Sequence, residues 1–329
     1  MEYRQLGKTG LKVSALGFGC GAVGGLLVRG ERKEMAAAVA RAVELGVNYF
    51  DTARTYGNGK SEENLGRVLQ ELKPDVVVGT KVQLTAEDME DIEQAVIASV
   101  EGSLRRLQLE RVDLIQLHNV VLAQRLAERE RVGVDDVPVI IEAFQKLRGQ
   151  GKVRFWGING LGDSEALHQV VAAGQAQTIQ CCYNLLNPTA GVPAPSKFPF
   201  QDYAQLIDKA AQQDMGVIAI RVLAAGALSG SAARHANAAQ SVDPIASGQS
   251  LADDVERAQR FNFLVAEGYA DSLVEAAIRF VISKAEVSTT LVGISNLEQL
   301  EQAVTAANKG PLPAEALARL RGIWANGFA

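Results

Sequence analysis

The chain has 329 residues, 47% of them hydrophobic, and its 33 Lys and Arg against 38 Asp and Glu leave a formal net charge of −5. That balance, with no basic stripe, excludes a nucleic-acid partner, and no apolar run approaches the roughly 20 residues of a membrane span. Three cysteines, Cys20, Cys181 and Cys182, are too few for a disulfide framework and point to a reducing, cytoplasmic setting. Three scattered histidines, His118, His168 and His235, offer no metal-ligand spacing.

In chain order, the N-terminus is polar and lacks a signal-peptide pattern. Residues 1–12 hold a Lys8-Thr9-Gly10 turn and predict a hairpin beneath the main body. Eight β-branched or nearly continuous apolar runs follow, at 13–20, 47–51, 76–82, 112–118, 153–159, 178–184, 216–223 and 290–295. Continuous apolar character is what parallel strands covered on both faces require. Helical spacing separates the runs, as in Met35, Val39 and Val43, in Ile92, Val96, Val100 and Leu104, and in Leu273, Ala277 and Phe280. Ser61, followed by Glu62 and Glu63, reads as a helix cap. Thr85 with Asp88, and Ser295 with Glu298, read as capping boxes.

Strict alternation predicts an α/β fold, a (β/α)₈ TIM barrel with eight parallel strands, built as one domain over residues 1–329. The pattern is also compatible with an open doubly wound sheet, but no G-x-G-x-x-G joins a strand to its helix. Two segments interrupt the repeat, a charged insertion at 119–137 and the longest connection at 224–271. Long loops at the C-terminal ends of barrel strands are where ligand contacts are expected.

Three successive strands end on ionisable residues. Asp51 closes the second, with Tyr56 five residues on; Lys81 closes the third; His118 closes the fourth. A charge at the end of an apolar strand is costly to bury without a partner. Consecutive barrel strands ending this way bring their side chains together at one rim. The chemistry is coherent: a carbonyl that accepts hydride develops negative charge on oxygen and needs a proton. A tyrosine, of ordinary pKa about 10, is expected to give it, with the Lys81 ammonium lowering that pKa and Asp51 holding the ammonium. His118 would orient the carbonyl by hydrogen bonding.

The run Asn48-Tyr49-Phe50-Asp51-Thr52-Ala53-Arg54-Thr55-Tyr56-Gly57, then Ser61-Glu62, Gly79-Thr80-Lys81 and Asp113-Leu114-Ile115-Gln116-Leu117-His118, resembles the aldo-keto reductase superfamily. The resemblance runs from Arg4–Gly10 to Leu291–Ser295. It implies catalytic Tyr56, Asp51, Lys81 and His118, a nicotinamide cofactor bound without a Rossmann fold, and a small carbonyl or sugar substrate. It also implies cofactor contacts at Gly21, Ala22, Asp51, Asn159, Gln180, Arg221, Leu223, Gly226, Leu228, Gly293, Ser295 and Gln299. Asn159 and Gln180 would take the carboxamide, and Arg221 the pyrophosphate. Departures are visible: Asn159 and Gly160 replace the usual Ser and Asn, and Ile220 replaces an aromatic ring. The segment 293–302 carries no basic residue. NADP(H) is favoured on the family pattern, with NAD(H) admitted by that missing cation.

Plainer readings stand beside these. Cys181 and Cys182 fit a core or cofactor wall; Trp156 and Phe18 fit a core or a substrate pocket; His168 fits a solvated surface, and Arg234 a solvated loop in preference to a contact with the cofactor's phosphates. Two other functions use the same residues: a cofactor-binding redox sensor or scaffold with little turnover, and an aldolase with a Schiff base on Lys81.

Overall fold

Residues 1–328 of the computed structural model form one closed ring of eight parallel strands. The strands are β1 (Leu16–Gly19), β2 (Tyr49–Asp51), β3 (Val77–Val82), β4 (Val112–Leu117), β5 (Val153–Gly160), β6 (Thr178–Cys182), β7 (Gly216–Ile220) and β8 (Val287–Gly293). They neighbour one another in sequence order, and β8 closes onto β1 through pairs such as Leu291 with Gly17. Between and after them run α1 (Arg32–Glu44), α2 (Lys60–Leu72), α3 (Ile92–Leu107), α4 (Asp136–Gly149), α5 (Ser164–Ala172), α6 (Leu206–Gln212), α7 (Leu273–Ile282) and α8 (Leu297–Asn308). The closed barrel replaces the open-sheet alternative. No helix is long and apolar enough to cross a membrane among the described residues.

The period-two alternation of the strands assigns each side chain to one of two cores. In β4, Ile115 and Leu117 pack into the layer between strands and helices, whereas Leu114 points into the barrel with Tyr49 and Ile218. Leu6, Leu11 and Val13 complete that inner cluster. They belong to the N-terminal hairpin (Tyr3–Gln5 with Lys12–Ser14), which plugs the N-terminal end of the barrel. The run at 13–20 is therefore two strands, one in the plug and one in the barrel.

Two expected caps serve tertiary contacts instead. Ser61 lies inside α2, behind Gly59, and its hydroxyl donates to the Cys20 carbonyl at 2.8 Å while meeting Thr52 Oγ1 at 2.8 Å. Ser295 donates to the Gly24 carbonyl at 2.7 Å, and Asn296 caps α8 by accepting from the Gln299 amide at 2.9 Å. Both serines thus bind the loop after β1 to its neighbours.

Glu62, in the first turn of α2, is fully buried. It accepts from Thr80 Oγ1 at 2.5 Å and from Arg106 Nε of α3 at 2.6 Å. This bridge holds α2 and α3 against β3, one residue before Lys81. Removing one partner of a buried pair strands the other charge and costs several kcal/mol. Arg106→Met is expected to lower stability by about 3 kcal/mol, read as a reduced urea midpoint. Adding Glu62→Gln should restore much of the loss; equal loss in single and double variants would refute the bridge.

Candidate active site

β2 delivers Asp51 to the C-terminal rim, and β3 delivers Lys81 beside it. Both side chains are 1% exposed. Lys81 Nζ donates to Asp51 Oδ1 and, at 2.8 Å, to the Thr52 carbonyl. The second oxygen of Asp51 accepts from the Tyr49 hydroxyl at 3.0 Å and from Gln180 Nε2 at 2.8 Å. The carboxylate thus accepts from three donors, on β2, β3 and β6, which is what makes its burial tolerable.

Tyr56 sits in the turn between β2 and α2. Its ring centre is 4.8 Å from Lys81 Nζ and 5.7 Å from the His118 ring, which it meets edge-on. Burial and the Asp51 charge push the Tyr56 phenol above its ordinary value of 10, although Lys81 pulls it down. The expected net lowering of this pKa is therefore corrected: without substrate, desolvation outweighs the ammonium. The phenol keeps its proton, as an acid must. Burial disfavours the Lys81 charge, but Asp51 and Tyr56 more than offset it and leave the ammonium above the ordinary lysine value. His118, half-buried, is pushed down to about 3 by desolvation and by Lys81, so its ring is neutral. Thr55 Oγ1 lies 3.3 Å from its Nδ1.

Above this group opens a cavity of about 520 Å³, within the range of small-molecule sites. Asp51, Tyr56 and His118 line one end; Ser295 and Gln299 line another part of its wall. Of the residues expected to hold a cofactor, Gly21, Ala22, Asp51, Asn159, Gln180, Arg221, Leu223, Gly226, Gly293, Ser295 and Gln299 line this one cavity. Leu228 is the exception. Its side chain is fully buried in the core, because the loop after β7 turns inward there. Ile220 lines the wall where an aromatic ring was expected to be missing. Trp156 and Phe18 are core residues outside the cavity, as are Cys181 and Cys182. His168 lies outside the cavity, half-buried, with its Nε2 3.0 Å from the Tyr203 carbonyl.

One segment was underrated by its sequence. Residues 231–240, within the long connection, cross the cavity. The Ala239 amide donates to the Val23 carbonyl at 3.0 Å, Asn237 Nδ2 to the Ser295 carbonyl at 3.0 Å, and Arg29 Nε to the Asn237 carbonyl at 2.7 Å. Arg234, expected to be solvated, lines the cavity; its Nη1 donates to the Ala225 carbonyl at 2.7 Å and its Nε to that of Ala239. His235 and Gln302 line it too. Low-complexity Ala, Ser and Gly between these residues hides the signal. Gly24 shows how closely the loops meet: a Cβ there would lie 2.5 Å from the Ile294 amide nitrogen.

The fit to a nicotinamide cofactor rests on Asn159. Its Nδ2 donates to the His118 carbonyl at 3.0 Å, but its buried Oδ1 has no partner. A buried, unpaired amide oxygen that lines a cavity calls for a donor from a bound molecule. A carboxamide supplies one.

Residues 15–325 match the family model described as the aldo/keto reductase family. L-galactose dehydrogenase of Arabidopsis thaliana is 28% identical over 316 residues, covering 94% of this chain and 89% of that protein. The fold is similar to the holo form of an aldo-keto reductase from Bacillus halodurans, with TM-score 0.73 at 24% identity over 98% of this chain and 96% of that one. It is also similar to an aldo/keto reductase from Klebsiella pneumoniae in complex with NADP and acetate, with TM-score 0.70 at 22% identity over 99% and 96%. The chain belongs to the aldo-keto reductase family. It is a nicotinamide-dependent oxidoreductase.

The depressed pKa of His118 has a signed consequence. Between about 3 and 6.5 the unfolded chain binds a proton that the folded chain refuses, so stability falls as pH is lowered through that window and is unaffected above it. His118→Asn is expected to flatten the dependence of urea-measured stability on pH between 4 and 6. An unchanged slope would contradict a neutral His118.

Proposed function

We propose that this chain interconverts small aldehydes, ketones or sugars and their alcohols, with Tyr56 as general acid in reduction and general base in oxidation. The observation that carries this reading is the buried Asp51–Lys81 pair set beside the Tyr56 ring at the floor of the cavity. Lys81 stabilises the phenolate that forms as Tyr56 gives its proton to the carbonyl oxygen. Asp51, held by Tyr49 and Gln180, keeps Lys81 charged and aimed. His118, neutral, donates a hydrogen bond to the same oxygen and orients the carbonyl. The nicotinamide, when bound, supplies or takes the hydride.

Asn159 and Gln180 are the residues to hold the carboxamide. Gly21, Ala22, Leu223, Gly226, Gly293, Ser295 and Gln299 form the remaining wall, and the guanidiniums of Arg221 and Arg234 are its anion-binding groups. NADP(H) is favoured on the family pattern, and NAD(H) is accepted because the α8 residues that line the wall are the uncharged Gln299, Gln302 and Ala303. We read residues 1–329 as one domain in a reducing, cytoplasmic setting, a reading supported by three free buried thiols. The Schiff-base alternative needs a neutral amine, and Lys81 is held as an ammonium. The scaffold alternative requires tight cofactor binding without turnover, and the complete proton-transfer group argues against it.

Tyr56→Phe should reduce kcat by about 10²–10⁴ across a panel of aldehydes while NADPH still quenches tryptophan fluorescence. Unchanged turnover would sink the assignment. Titration with both cofactors should give Kd values for NADPH and NADH within about tenfold, and Gln302→Arg should tighten NADPH alone by a similar factor. A preference for NADPH far beyond tenfold in the unaltered chain would point to a cation other than one on α8.

A further inference from the structure

The cavity holds two guanidiniums, and they are not equivalent. Arg234 is stapled by two backbone carbonyls, Ala225 and Ala239, within the segment tied to Val23 and Ser295. Arg221 directly follows β7, whose Ile218 and Ile220 pair in register with Gln180 and Cys182 of β6. Gln180 is the residue that donates to Asp51. Arg221 is therefore one step along the rim from Gln180, whose amide holds Asp51 of the proton-transfer group, and it lines the same cavity as Tyr56.

Arg221 is half-buried, and its one hydrogen bond is from Nη1 to the Asp243 carbonyl at 3.2 Å. No carboxylate lies within ion-pair distance of it among the described residues, unlike Arg106, Arg125 and Arg279, which are each paired with one. The one carboxylate that acts on its charge is the exposed side chain of Asp243. Burial lowers its pKa, the signature of a charge short of counter-ions. Its backbone is also fixed in an unfavourable state: φ is +56°, in the left-handed region, and Asn184 Nδ2 holds its carbonyl at 2.9 Å. A non-glycine residue stays there only where its surroundings hold it, and such residues gather at ligand clamps. Four of the five N–H groups of this guanidinium have no protein acceptor. A planar, two-oxygen anion is the group that such a fork binds.

The geometry points to Arg221 as the specificity residue of the substrate side of the cavity: it binds a carboxylate, or two oxygens of a phosphate, carried by the carbonyl substrate itself. The substrate class is thus a short aldehyde or ketone with an anionic group a few bonds from the carbonyl, rather than a neutral one. This rests on the reading of Tyr56 as proton donor. It departs from the pyrophosphate role expected for Arg221 in the sequence, and leaves that role to Arg234.

The test compares succinic semialdehyde with 4-methylpentanal, in which an isopropyl group replaces the carboxylate at equal size. Full-length wild type should favour the anionic aldehyde by about 10–100-fold in kcat/KM. Arg221→Met should bring the ratio close to one, and Arg221→Lys should keep part of it. Succinate, which accepts no hydride, provides a second readout by calorimetry on the cofactor-loaded protein. Wild type should bind it, and Arg221→Met at least tenfold more weakly. Succinate binding lost in Arg221→Met supports the inference even if no aldehyde is turned over, so the failure of the catalytic reading is told apart from the failure of this one. Wild type with neither the preference nor succinate binding overturns it. So does an Arg221→Met variant that keeps the preference while its Kd for NADPH rises, since the anion would then be the cofactor's.

Discussion

Two opposite charges sit inside the barrel with almost no water on either. Taking a carboxylate and an ammonium out of solvent costs several kcal/mol each, and their attraction offsets this only when every remaining lone pair and proton is engaged. The surroundings of Asp51 and Lys81 supply three donors to the carboxylate and two acceptors to the ammonium. Tyr49 and Gln180 occupy the far oxygen of Asp51, and the Thr52 carbonyl accepts a hydrogen bond from Lys81. Three strand ends and one turn must therefore be in register at once. The pair links barrel closure to chemistry, because a strand out of place leaves a charge unpartnered.

The same pair orders the electrostatics above it. The ammonium is permanent, so it both opposes protonation of His118 and stands ready for a phenolate on Tyr56. Burial holds the Tyr56 proton in place until a substrate oxygen is there to take it. An acid with a raised resting pKa and a cation beside it gains most from that cation once charge develops, which is the differential stabilisation that catalysis needs. A neutral His118 suits this arrangement, since it donates a hydrogen bond without placing a second full charge near Lys81.

Loops supply the rest of the cavity. The segment at 231–240 is pinned to the loop after β1 and to the start of α8, so residues more than 200 positions apart share one wall. Left-handed backbone at Arg221, Ala224, Ala225 and Gly226 bends the chain sharply after β7 and presents two guanidiniums with different degrees of backbone restraint. Rigid strands bear the proton chemistry and loops bear recognition, the usual division in a barrel.

The amino-acid sequence by itself determined the barrel, the N-terminal plug and the placement of Asp51, Lys81 and His118. Those depend on local periodicity and on charges at the ends of apolar runs, which are visible one segment at a time. It also carried Tyr56 and most of the cavity wall through the aldo-keto reductase pattern. The tertiary structure alone decided what depends on packing between distant segments. Ser61 and Ser295 carry the local signature of caps, but their hydroxyls answer carbonyls of the loop after β1. Leu228 looked like a loop contact and is core, while Arg234 looked solvated and lines the cavity. The direction of the Tyr56 pKa was likewise out of reach, because desolvation depends on the whole surroundings and only the neighbouring ammonium could be read from sequence.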